Sequence, residues 1–95
     1  AWPWNRTAVN KSIKLKVNIT EDLAFMVTET PLSEDQAIND SVRDNWKRLT
    51  ATVLDSHELR YWLLSQGDAV EILSPKGMRS WFKEISNNMA SLYKN

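Results

Sequence analysis

Three patterns predict an α+β fold in which two β-α-β passes are followed by a further helix. Apolar and polar residues alternate strictly over KSIKLKVNI and again over WKRLTATVL, the period of a half-buried strand. Each run leads into a segment with apolar residues at helical spacing behind a cap residue. A last segment carries Met78, Phe82, Ile85, Met89 and Leu92 at 4-3-4-3 spacing, the signature of a long amphipathic helix.

In the first strand, Ile13, Leu15, Val17 and Ile19 point to one side, and Lys14, Lys16 and Asn18 to the other. Thr20 then offers an N-cap, Glu21 and Asp22 favour the positive helix end, and Leu23, Met26 and Val27 form a short apolar stripe that TETP ends. EDQAIND alternates weakly and is polar, which suits a short edge strand that must not recruit pairing partners. After the turn residues Arg43, Asp44 and Asn45, the second alternating run places Leu49, Ala51 and Val53 inward and Arg48, Thr50 and Thr52 outward. Asp55 with Glu58 makes a capping-box-like start to a helix whose stripe is Leu59, Trp62 and Leu63, and Gly67 closes it. DAVEIL gives a brief strand with Val70 and Ile72 inward, and Ser74 as N-cap with Pro75 at the first helical position launches the last helix. The order βαββαβ plus a C-terminal helix folds most simply as a ferredoxin-like split sandwich, an antiparallel four-stranded sheet with helices on one face. By alternation the other face carries Lys14, Lys16, Arg48, Thr50, Thr52 and Glu71.

At 95 residues the chain has room for one modest core and not for an elaborate enclosed active site. Residues 11–95 are expected to form that single domain. Residues 1–10, with Trp2 and Trp4 around a proline and no period, are expected to be a linker or domain boundary whose tryptophans pack against a preceding domain. Twelve basic and twelve acidic residues cancel, so any attraction to nucleic acid or membrane must come from a local patch. Zero cysteines remove disulfides, thiolate chemistry and Cys-ligated metals, and fit a reducing compartment. No apolar run is long enough to span a bilayer, and the expected location is the cytoplasm.

Nothing in the chain assembles a catalytic constellation. His57, the one histidine, falls in the first turn of a helix, where a solvated surface residue is the ordinary outcome. Glu34 and Asp35 are sequence neighbours that a strand would send to opposite faces, so no metal site is expected, and no cofactor either. The two glycines are isolated, and NITEDL lacks both the glycine and the arginine of an acyl phosphate hydrolase loop. The expectation is a non-enzymatic domain. An open sheet can bind single-stranded nucleic acid when aromatics on its central strands stack bases, yet the outward positions of both central strands read as Lys, Arg, Asn and Thr. The phosphate-tracking charge is present and the stacking platform is missing. On the last helix Lys76, Arg79 and Lys83 make a basic stripe beside the apolar seam, a candidate contact for an anionic ligand or a neighbouring domain. That seam, with Trp81, Met89 and Leu92, is wider than one small sheet needs and is expected to serve an interface between two copies.

ETPLSEDQ at 29–36 and LTATVLDSHELRYWLLSQGDAVEILSPKGMR at 49–79 together resemble the C-terminal extension (WCX) domain of bacterial WYL-domain transcriptional regulators. The family-like positions are Glu58-Leu59, Trp62-Leu63-Leu64, Gly67, Val70-Glu71-Ile72-Leu73, Pro75 and Met78-Arg79. Two departures are Met78, where the family has leucine, and Gln66, where an aromatic is common. The resemblance implies a ferredoxin-like module that aids dimerisation and adjoins a ligand groove. Its implied partners are the helix-turn-helix and WYL domains of a parent protein, DNA through that parent, and a nucleic-acid or other anionic effector. Arg79 is the family position carried over as a ligand or interdomain contact. The expected function is thus a dimerisation and ligand-response domain of a WYL-type regulator. The alternative is an autonomous nucleic-acid-binding module using the basic open sheet face.

Overall fold

The structure, a computed structural model, describes residues 11–94. The expectations for Trp2 and Trp4 fall outside the described residues. Strand β1 (Lys11–Thr20) leads to helix α1 (Glu21–Glu29), and strands β2 (Ala37–Asp40) and β3 (Trp46–Asp55) follow. Helix α2 (His57–Ser65), strand β4 (Val70–Ser74) and helix α3 (Lys76–Leu92) complete the order. The chain is therefore α+β, with a four-stranded sheet in the order β2-β3-β1-β4 whose neighbours are all antiparallel. β1 and β3 form the centre, paired from Lys11↔Asp55 to Thr20↔Trp46.

The alternation sorts the two sheet faces. Leu15, Val17, Ile19, Leu49, Ala51 and Ile72 are buried from the sheet side, and they meet Leu23, Ala24, Val27, Leu63 and Met78 from the helices. Burying each large aliphatic side chain stabilises the fold by roughly 1.5–3 kcal/mol before entropy is counted. Leu59, Trp62 and Phe82 pack against this core at its margin. In α1 the buried arc is Leu23, Ala24 and Val27, whereas Met26, expected on the stripe, is about half exposed. At roughly 100° per residue, Met26 lies to one flank of Leu23, and the small Ala24 on the other flank is what the sheet accepts. Thr20 caps α1 as expected, its Oγ1 accepting from the Leu23 N–H at 3.3 Å.

Three boundaries differ from the expected ones, each for a local reason. The edge strand starts at Ala37, not Glu34. Since Ala37 pairs Thr50, the next ladder partner of Thr52 would be position 35, and there the Asp35 carboxylate substitutes for backbone. It accepts from the Thr52 N–H at 2.9 Å and the Thr52 Oγ1 at 2.6 Å. The cap of α2 is Ser56, which accepts from the Leu59 N–H at 3.2 Å, and not Asp55. Asp55 is instead buried and clamped by Arg60, Nε to Oδ1 and Nη2 to Oδ2, both 2.9 Å. For α3 the cap is Pro75 rather than Ser74, because Ser74 still pairs Lys16 in the sheet. Gly67 closes α2 with a φ of 61°, as its position requires.

Helix α3 lies in the helical layer. Met78 enters the core, Phe82 packs on it, and the Arg60 guanidinium sits 4.9 Å from the Trp81 ring centroid, tying α3 to α2. The opposite sheet face keeps Lys14 and Lys16 exposed.

Candidate functional site

One polar row crosses all four strands on the open face. Register places Asn39, Arg48, Asn18 and Glu71 side by side, from β2 through β3 and β1 to β4. Asn18 is 4% exposed, a burial that is costly unless its amide is satisfied. Its Nδ2 donates to Glu71 Oε1 at 3.0 Å and its Oδ1 accepts from Ser41 Oγ at 2.8 Å. Ser41 belongs to the β2–β3 turn, where Asn45 adopts a φ of 67°, a left-handed conformation that asparagine tolerates. That turn folds over the sheet: Arg43 Nη2 donates to Glu71 Oε1 at 2.7 Å, and the Arg43 guanidinium lies 5.0 Å from the Trp46 ring centroid.

Glu71 is the node. The Asn18 hydrogen bond is the largest influence holding its carboxyl below the usual range, with the hydrogen bond and charge of Arg43 and the charge of Arg79 adding to it against partial burial. Arg79, from the first turn of α3, approaches Glu71 Oε2 at 3.7 Å and donates from Nη1 to the Ile72 carbonyl at 2.7 Å. The loop, β1, β4 and α3 thus meet at one carboxylate.

Of the expected basic stripe, Arg79 and Lys83 border a shallow depression with Glu71, Ile72 and Phe82, while Lys76 lies exposed outside it. The expected interface residues separate. Trp81 is half-buried within the domain, edge-on to Phe82 with centroids 5.0 Å apart and beneath Arg60. Met89 and Leu92 are exposed, and with Tyr93 they form an apolar end to α3 beyond the core.

The sequence reading missed two things here. Trp46 shares the parity of Arg48 and Thr50 and therefore sits on the open face, opposite Thr20. The alternating run WKRLTATVL begins at Trp46, and its parity already places the ring on the same face as Arg48. The network around Glu71 joins residues 53 and 28 positions apart, a proximity no local pattern encodes. Among the described residues, no group of three or more His, Asp or Glu side chains could hold a metal ion, and His57 is the exposed first residue of α2.

In a comparison with known families, the model of the WCX domain matches residues 11–90. No curated protein and no solved structure matches the chain.

Proposed function

The chain belongs to the WCX domain family, and from that membership we propose that it is the non-enzymatic C-terminal domain of a WYL-type transcriptional regulator. In this reading it holds two protomers in register and passes an effector-dependent change towards DNA-binding domains elsewhere in the parent protein. The observation that carries the relay is the junction at Glu71, where Arg79 of α3, Arg43 of the β2–β3 turn and Asn18 of β1 converge. An anionic effector or a neighbouring domain that draws on Arg79 would loosen its hold on β4 and shift the balance at that carboxylate. The exposed Met89, Leu92 and Tyr93 support self-association through the end of α3. The strand order β2-β3-β1-β4 with antiparallel neighbours supports the ferredoxin-like description of the sheet. A cytoplasmic location follows from the proposed role; among the described residues no helix is long and apolar enough to cross a membrane.

The reading frame upstream of this chain tests the proposal. It is expected to encode a helix-turn-helix and a WYL domain, and a frame encoding neither would overturn it.

A further inference from the structure

We propose that the ten residues before β1 dock back onto the domain, seating Trp4 in the groove between α1 and α2 and bringing Arg6 to Glu58. This goes beyond the relay at Arg79 and does not depend on it. The groove is the first observation. Met26, Thr30 and Leu32 form one wall, and Glu58, Leu59 and Trp62 of α2 the other, around a space of about 540 Å³, within the size range of ligand pockets. Met26 is 52% exposed, and Leu59 and Trp62 pack on the core without being fully covered, so the domain stops short of filling the groove itself. An aromatic ring laid there removes apolar surface from water on both sides of the contact.

Reach is the second. Lys11 opens β1 and pairs Asp55, so the chain enters the domain beside the start of α2, one turn from Glu58 and Leu59. Trp4 stands seven residues before Lys11, and seven extended residues span up to about 25 Å, whereas the nine residues of α2 are about 14 Å long. The ring can therefore reach any part of the wall that α2 supplies.

Composition is the third. Trp2-Pro3-Trp4 gathers two of the five tryptophans around a proline, which limits the backbone freedom lost when the segment is ordered. Arg6 is the one charged side chain among the ten residues, and Glu58, exposed at the rim of the groove, has no ion-pair partner among the described residues. A second copy meeting this surface about a two-fold axis would set groove against groove and Glu58 against Glu58.

Trypsin cleavage after Arg6 in the 95-residue chain, followed by mass spectrometry, tests this, because cleavage tracks the population of the open form. Trp4→Ala, and separately Met26→Lys at its half-exposed position, are each expected to speed cleavage at Arg6 about 10-fold and to leave the circular dichroism of the fold unchanged. In a chain carrying ¹³C-methyl methionine, Trp4→Ala is expected to move the Met26 methyl signal and to leave those of Met78 and Met89 in place. Adding unlabelled wild type to the labelled Trp4→Ala chain is expected to change nothing further. If it restores the Met26 signal, a second copy fills the groove and the proposal is overturned. It is overturned equally by a Met26 signal that Trp4→Ala does not move, or by unchanged cleavage rates, either of which gives the groove to another occupant such as a neighbouring domain.

Discussion

Glu71 and Asp35 show how one carboxylate can fix the position of a whole segment. Glu71 holds the turn, β1 and α3 together, and Asp35 completes the ladder beside Thr52 where the edge strand has ended. Both carboxyls are held below their usual range: Glu71 first by the Asn18 amide, Asp35 first by the Ser33 hydroxyl and then by Thr52. A group whose folded pKa is depressed contributes stability above its unfolded pKa and loses it as pH falls towards the folded one. Stability is therefore expected to be constant near neutrality and to fall below about pH 4.5, where unfolded Glu and Asp begin to take up protons. Urea denaturation of wild type and Glu71→Gln at pH 7 and pH 3.5 checks this, and the variant should show the smaller pH dependence. Asn18→Ala strips two hydrogen bonds from a buried position and should cost about 1–3 kcal/mol at pH 7.

At the scale of elements, the sequence's alternation and helical stripes located both central strands and all three helices. Their ends were less legible because adjacent residues compete for the same role. Asp55 and Ser56 can both cap a helix, and the choice is made by Arg60, five residues on, which recruits Asp55 into a buried pair. Ser74 is likewise a good cap that the sheet claims first. The pair at Asp55 makes a sharp prediction. Arg60→Ala leaves a buried carboxylate without its cation and removes the guanidinium over Trp81, so it should destabilise the domain by about 3–5 kcal/mol. A thermal shift of only a degree or two would place Asp55 in contact with solvent. The apolar seam of α3 is used unevenly: Met78 and Phe82 pack in and on the core, Met89 is half exposed beside Leu63 and Phe82, and Leu92 is exposed. Sedimentation at tens of micromolar should show a dimer that Met89→Glu/Leu92→Glu returns to monomer without loss of folding. A monomeric wild type would remove α3 as the source of assembly.

Across the whole molecule, the helical layer and the open face do different work. The layer buries the core and leaves the end of α3 uncovered; the face concentrates positive charge around Glu71. Family membership was legible because its pattern lies in local order: a helix stripe, a glycine stop, a short strand and the Met78-Arg79 pair. The junction that Arg79 joins was not, since Asn18, Arg43 and Glu71 come together only when β1 pairs β4 and the turn folds over both. The most direct test of the role proposed for Arg79 is a paired measurement on Arg79→Ala: melting of this domain, and effector-dependent DNA binding of the proposed full-length regulator at one fixed salt concentration. Arg79 is half exposed, and its loss should leave melting within a few degrees of wild type while weakening the effector response about 10-fold or more. Normal melting with an undiminished effector response would contradict the account.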